Sequence, residues 1–123
     1  MQWLRAQLDE DERIARGTGQ PGTSWQNLDM VGELRDDVNA GTVAYIPREE
    51  TRAHIAEWDP VRVLREIDAK RQLIHRYERA MENRRAHPDD LASAGALLAL
   101  HGAVKLLALP YADRPGYREE WRP

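Results

Sequence analysis

The sequence predicts a mostly α (α+β) protein: a helical hairpin or small bundle around one long central helix, with a small β-hairpin near residues 30–47. The first observation is the stretch 60–87, where an apolar stripe repeats at helical spacing and neither Gly nor Pro interrupts the interior. The second is another apolar stretch, 91–109, after a short break. The third is a cluster of β-branched and aromatic residues at 42–46.

The N-terminal third is expected to contain a helix, a loop and the hairpin. Residues 2–16 place Trp3, Leu4, Leu8 and Ala15 at helical spacing, with acidic residues between them. Residues 17–24 hold three Gly and one Pro, which predicts a flexible loop. The hairpin follows, with residues 25–28 as a candidate third strand that needs support from helices.

A short helix from Pro47 to Trp58 is expected to turn sharply into the long helix. Asp59 is a favourable N-cap, and Pro60 suits the first helical position. The helix is then expected to continue to residue 87. Its apolar stripe consists of Val63, Leu64, Ile67, Ile74, Tyr77 and Met81.

The helix at 91–109 is expected to be capped by Asp89 or Asp90 and to pack antiparallel on the long helix, because their connection is short. We expect a buried helix of a soluble protein rather than a membrane span, since Lys105 inside a span would cost about 2.5–3.5 kcal/mol. A stripe of small residues would allow another helix to approach closely: Ala92, Ala96, Ala99 and Ala103.

The C-terminal tail, 110–123, is expected to be extended or turn-like, because it contains three prolines. Tyr111, Tyr117 and Trp121 are exceptional in so polar a segment. They predict a tail that either docks on its own domain or binds a partner.

Composition excludes several classes of function. The chain has 123 residues, enough for a single domain spanning 1–123, and no cysteine, which rules out disulfides, thiol catalysis and thiolate metal sites. The N-terminus lacks a signal-peptide core, so we expect a cytoplasmic protein. A net charge of −3 argues against general nucleic-acid binding, although eight basic residues against four acidic ones lie within 60–87.

Three runs resemble a known family: WLRAQLDEDERIAR, HIAEWDPVRVLREIDAKR and LLALPYADRPGYREEWRP. They are similar to a family of small uncharacterised proteins (a domain of unknown function) of actinobacteria such as Streptomyces and of their phages. The resemblance implies a bacterial or phage cytoplasmic protein and no particular activity. The family's usual corner reads H-x-x-x-H-D-P, whereas here His54 is followed by Trp58, which removes one ligand of a possible metal site. Gly116 also stands where the family suggests an acidic residue.

The sequence therefore favours a non-enzymatic protein–protein interaction or regulatory protein, whose partner is a second copy or another protein. One alternative is a nucleic-acid accessory protein that uses the basic face of helix 60–87. Another is a small enzyme or metal protein at His54 and Asp59. No catalytic residue, metal ligand or cofactor is assigned. The candidate binding residues are His54, Trp58, Asp59, Arg62, Arg65, Arg76, Arg79, Tyr111, Tyr117 and Trp121.

Overall fold

The computed structural model describes residues 1–18, 24–28, 30–38 and 41–123. By backbone contacts the chain divides into two compact units. Unit 1 comprises residues 1–9 and 68–123, and unit 2 comprises residues 10–67. The interpretation as a single domain stays a prediction. The predicted loop at 17–24 lies outside the described residues from 19 to 23.

The described residues form four helices and three short strands, which confirms the mostly α (α+β) class. Two 3₁₀ turns, Leu109–Tyr111 and Glu119–Trp121, lie in the tail. In chain order the elements are α1 (Gln2–Gly17), β1 (Trp25–Leu28), β2 (Glu33–Asp36), β3 (Thr42–Tyr45), α2 (Glu49–Glu57), α3 (Pro60–Ala86) and α4 (Leu91–Ala108).

The sheet of unit 2 is antiparallel with the strand order β1-β2-β3. Trp25 pairs with Asp36 across β1 and β2, and the pairing of β2 with β3 is irregular next to Leu34. The candidate third strand at 25–28 is thus confirmed. β2 is shorter than the predicted run, because Gly32 at φ +68° belongs to the turn that precedes it.

Helix α2 packs on β1 and β2 through a buried arginine that the sequence analysis did not single out. The side chain of Arg52 is buried. Its Nε donates to Oδ1 of Asn27 at 2.5 Å, and its Nη1 donates to the carbonyl oxygen of Ile46 at 2.6 Å. Charge-assisted hydrogen bonds of this kind offset part of the cost of burying the guanidinium. Arg52 therefore ties α2 to the sheet that needs helical support.

The sharp turn from α2 into α3 is held by Asp59, as predicted. Its Oδ1 accepts from the backbone N–H of Arg62 at 2.9 Å, which is N-cap geometry. Its Oδ2 accepts from the backbone N–H of Trp25 at 3.2 Å. One carboxylate thus caps α3 and anchors the start of β1.

In unit 1 the second half of α3 and helix α4 form the predicted antiparallel hairpin. The rings of Tyr77 and His101 lie 5.8 Å apart, and Nζ of Lys70 lies 5.9 Å from the ring centroid of Tyr111. Tyr77 follows Lys70 along α3, whereas its neighbour His101 precedes Tyr111 along the chain. The two segments are therefore antiparallel. Asp90 caps α4 by accepting from two backbone N–H groups, at 3.1 and 3.0 Å.

The expectation that α4 is buried is wrong. Its buried residues are Ser93, Val104 and Ala108, whereas Leu91 and Leu98 are 87% and 76% exposed. Most of the alanine stripe is exposed too, so it does not face α3. The physical reason is that α4 is apolar on all sides, and the elements packed against it cover only the side that carries its buried residues.

The segment Leu91–Tyr111 is long and apolar enough to cross a membrane, judged by length and composition. It has 21 residues, and an 18-residue stretch of it has a mean hydropathy of 1.6 and is 17% buried. Core helices of soluble proteins share such length and composition, so these properties alone are weak evidence for a span. The expectation of no membrane association stays a prediction.

Candidate binding site at the Trp58 corner

Trp58 is a half-exposed aromatic residue at the end of α2. Its side chain is 46% exposed. Cζ of Arg62, one turn into α3, lies 4.1 Å from the centroid of the Trp58 ring, a cation–π contact. The His54 ring lies 6.3 Å from the same ring, tilted by 48°. The structure therefore brings together four of the predicted binding residues, since Asp59 lies at this corner too.

Arg62 is held in place by carboxylates on both sides of the corner. Its Nη1 donates to Oε1 of Glu57 at 2.7 Å, and its Nε donates to Oε1 of Glu66 at 3.1 Å. These pairs neutralise the guanidinium and fix its plane. Arg62 thus supports the Trp58 ring and is poorly placed to follow a phosphate backbone.

Asp59 has a structural role at this corner. Both of its carboxylate oxygens accept backbone N–H groups, from Arg62 and from Trp25. A general base needs a lone pair directed at the proton it removes. The geometry gives the proposed His54 and Asp59 acid–base pair no support from Asp59. Within the described ranges, no group of three or more His, Asp or Glu residues is arranged to hold a metal ion.

An apolar groove of about 240 Å³ opens beside Trp58 in unit 2. One side is formed by Ile14 of α1, which is 54% exposed. The carboxylate residue among its lining is Asp11. The groove is smaller than the roughly 300–1,000 Å³ of typical small-molecule sites. The other lining residues are Ala15, Thr18, Trp25, Trp58, Pro60 and Val63.

The other predicted basic binding residues of α3 lie in different units. Arg65 belongs to unit 2, while Arg76 and Arg79 belong to unit 1, and all three are exposed. In the part of the chain that the structure describes, their side chains make no ion pair. By contrast, Arg71 pairs with Asp9 at 2.5 Å. The basic face is therefore only partly available to an external anion.

The aromatic residues of the tail pack against Trp3 within unit 1. The ring of Trp3 in α1 lies 6.5 Å from Tyr111, 5.9 Å from Tyr117 and 5.1 Å from Trp121. Nε1 of Trp3 donates to the carbonyl oxygen of Pro115 at 3.0 Å. These three candidate binding residues thus form an internal aromatic cluster with Trp3, and Tyr111 is 4% exposed.

Sequence reasoning missed the walls of the groove that come from α1 and β1. Ile14 follows Trp3 by 11 residues, about three helical turns, so it extends the apolar stripe of α1, and that spacing is the signal that could have found it. Trp25 was assigned only to a candidate strand. Its place in the groove depends on the hydrogen bond from its backbone to Asp59, 34 residues away. The periodic spacing of apolar residues in a sequence gives no information on a contact between residues so far apart.

Comparison with known proteins gives the chain a family but no activity. No curated protein and no solved structure matches it. The model of a family of unknown function, DUF6221, matches residues 1–123. The match covers the whole chain, and the protein therefore belongs to this family of unknown function.

Proposed function

We propose that this protein is a non-enzymatic interaction protein of the cytoplasm, and that its groove at Trp58 receives an apolar side chain of a partner protein. The observation that carries the proposal is the half-exposed Trp58 ring, fixed by Arg62 at 4.1 Å beside an apolar groove. Trp and Arg are the residues most enriched at the energetic centres of protein interfaces.

The size and rigidity of the groove support a protein ligand over a metabolite. A volume of about 240 Å³ suits one large side chain. The ring of Trp58 is held before binding, because Arg62 is itself fixed by Glu57 and Glu66. Binding therefore costs little side-chain entropy at the position where most of the contact area forms.

A peptide-display library selected on the full chain tests this function. Selected peptides should share a large apolar residue. Trp58→Ala should weaken their binding at least tenfold in fluorescence polarisation, because the anchor surface is lost. Tyr45→Ala is the matched control, since Tyr45 is an exposed aromatic residue of the same unit outside the groove lining.

The proposal fails if the selected peptides bind Trp58→Ala as tightly as the unsubstituted chain. It also fails if selection returns no peptide that the Tyr45→Ala protein binds. Either result leaves Trp58 as an ordinary partly exposed residue.

A nucleic-acid role is the second candidate function, supported by the exposed side chains of Arg76 and Arg79 in unit 1. Binding to a DNA or RNA duplex at about 50 mM salt should then weaken steeply as salt rises. Replacing both arginines by Gln should reduce that salt dependence. No detectable binding at low salt removes this candidate.

We also propose an actinobacterial or phage origin, on the strength of the runs HIAEWDPVRVLREIDAKR and LLALPYADRPGYREEWRP. The genes that flank the coding sequence test this origin directly. Flanking genes from another bacterial group would contradict it.

A further inference from the structure

A polar cleft in unit 1 opens between the start of α1 and the part of α3 that belongs to this unit. Its volume is about 400 Å³. The side chains that line it are Arg5, Arg71, Gln72, His75 and Arg76. All five carry nitrogen atoms that can donate hydrogen bonds, and among the described residues the lining includes no carboxylate. The composition of the cleft therefore favours an anion.

The α3 wall of this cleft follows from helical spacing. His75 lies four residues after Arg71, and Arg76 lies four residues after Gln72, so the members of each pair are neighbours on the helix surface. Together the four residues span an arc of about 140°, because each residue advances an α-helix by about 100°. One side of α3 thus presents all four side chains to the cleft.

Two ion pairs between α1 and α3 hold arginines of the cleft in place. Arg5 donates from Nη2 to Oε2 of Glu78 at 2.6 Å and from Nε to Oε1 of Glu78 at 3.2 Å. Nη2 of Arg71 donates to Oδ1 of Asp9 at 2.5 Å. A guanidinium has five N–H groups, so the two bonds to Glu78 do not saturate Arg5. Binding therefore costs less side-chain entropy than it would with two free arginines.

Arg76 and His75 supply the positive charge that these ion pairs do not neutralise. Both side chains are exposed, and neither forms an ion pair within the described ranges of the chain. In the cleft as a whole, three guanidiniums are set against two carboxylates, which leaves one net positive charge. Protonation of the imidazole adds a second. This excess matches a doubly charged anion better than a singly charged one.

We propose that the cleft binds the phosphate monoester group of a small molecule. Such a group carries about 1.5–2 negative charges near pH 7 and has three terminal oxygens that accept hydrogen bonds. Donors on two helices suit three oxygens, whereas a carboxylate is satisfied by one guanidinium. The volume lies within the range of roughly 300–1,000 Å³ of small-molecule sites, so it also has room for the organic group.

A small phosphomonoester fits the cleft better than the backbone of a nucleic acid. Backbone phosphates are diesters with one negative charge each, and a protein that follows them needs a row of basic contacts. Arg79, the next exposed arginine of α3, does not line the cleft. The chain as a whole has a net charge of −3, so its positive potential is local.

An NMR titration of the ¹⁵N-labelled full chain with inorganic phosphate tests the proposal. The ionic strength is held at about 0.15 M, where exposed charges more than about 8 Å apart are largely screened. Amide shifts at Arg5 and along residues 71–76 should saturate with one dissociation constant. Arg76→Gln should weaken binding by about tenfold or more, because a charge-assisted hydrogen bond is lost. Circular dichroism should show an unchanged fold, since Arg76 is exposed.

Arg79→Gln is the matched control. It removes the same charge from the same helix, three residues further on and outside the lining of the cleft, and should leave the affinity unchanged. Acetate and dimethyl phosphate are the matched ligands, since each carries a single negative charge. Both should bind at least about tenfold more weakly than inorganic phosphate, because they offer less charge and fewer terminal oxygens.

Three results would overturn the proposal. One is a set of amide shifts that does not saturate with inorganic phosphate. The second is an equal loss of affinity in Arg76→Gln and Arg79→Gln, which would indicate a diffuse basic face. The third is a singly charged ligand that binds as tightly as inorganic phosphate. Dimethyl phosphate would then indicate a nucleic-acid backbone as the occupant, and acetate would indicate a carboxylate.

Discussion

The C-terminal tail and helix α4 are neighbouring segments of unit 1 with opposite outcomes. The tail is polar overall, yet its three aromatic residues pack around Trp3, and Tyr111 is 4% exposed. Helix α4 is the most apolar segment of the chain, yet Leu98 is 76% exposed. Composition alone would have ranked them the other way round.

The comparison shows that the exposure of a segment's side chains depends on the elements packed against it and not on its hydropathy. The tail packs against the ring of Trp3, which makes edge-to-face contacts with Tyr111 and Tyr117 and donates a hydrogen bond from its Nε1 to the tail. Helix α4 is covered only on the side of Ser93, Val104 and Ala108. The surface that remains is an exposed apolar face that includes Leu91 and Leu98.

Removing the anchor of the tail should give the largest effect on stability. Trp3→Ala deletes the ring that contacts Tyr111, Tyr117 and Trp121, and should lower the free energy of unfolding by about 3 kcal/mol. Urea denaturation followed by circular dichroism measures this change. Gln2→Ala, an exposed substitution one residue away, is the control and should stay within about 0.5 kcal/mol. Equal effects of the two substitutions would show that the tail is not held by Trp3.

Two glycines give the sharpest contrast between the segments. Gly116 in the tail has φ +87°, and an added Cβ would lie 2.8 Å from Nε1 of Trp3. Gly116→Ala should therefore cost about 1–3 kcal/mol through backbone strain and this clash. Gly95→Ala in α4 should instead stabilise the monomer by up to about 1 kcal/mol, since its site is open. Thermal unfolding at low protein concentration checks both signs, and two changes of the same sign would contradict the contrast.

The smallest expected effect on stability is at Leu98. Leu98→Ser removes a large apolar side chain that is 76% exposed, so unfolding free energy should change by less than about 0.5 kcal/mol at low concentration. A loss above about 2 kcal/mol would mean that the side chain is buried in the monomer.

Local signals predicted most of the helices and strands. Asp59 with Pro60 marked the start of α3, and of the two predicted caps of α4, Asp89 or Asp90, the structure uses Asp90. A cap can be predicted because it depends on residues within one turn. The strands were found for a similar reason, from short runs between turn residues. α2 began two residues later than predicted, at Glu49, which is ordinary uncertainty at a helix end.

Long-range contacts were beyond sequence reasoning. The buried Arg52 reads as a surface residue until Asn27 and Ile46 are seen beside it. The covered face of α4 could not be predicted either, because a helix that is apolar on every side gives no sign of which side is covered. At the Trp58 corner, the end of α2 and the start of α3 were predicted from Asp59 and Pro60. The groove beside it was not, since Ile14 and Trp25 come from distant segments.

Hydroxyl-radical footprinting of the dilute chain tests the central claim most directly, with each residue referred to its labelling in the unfolded chain. Leu98 and Trp58 should be labelled strongly and Tyr111 should be protected. Strong labelling of Tyr111, or protection of Leu98, would contradict the account.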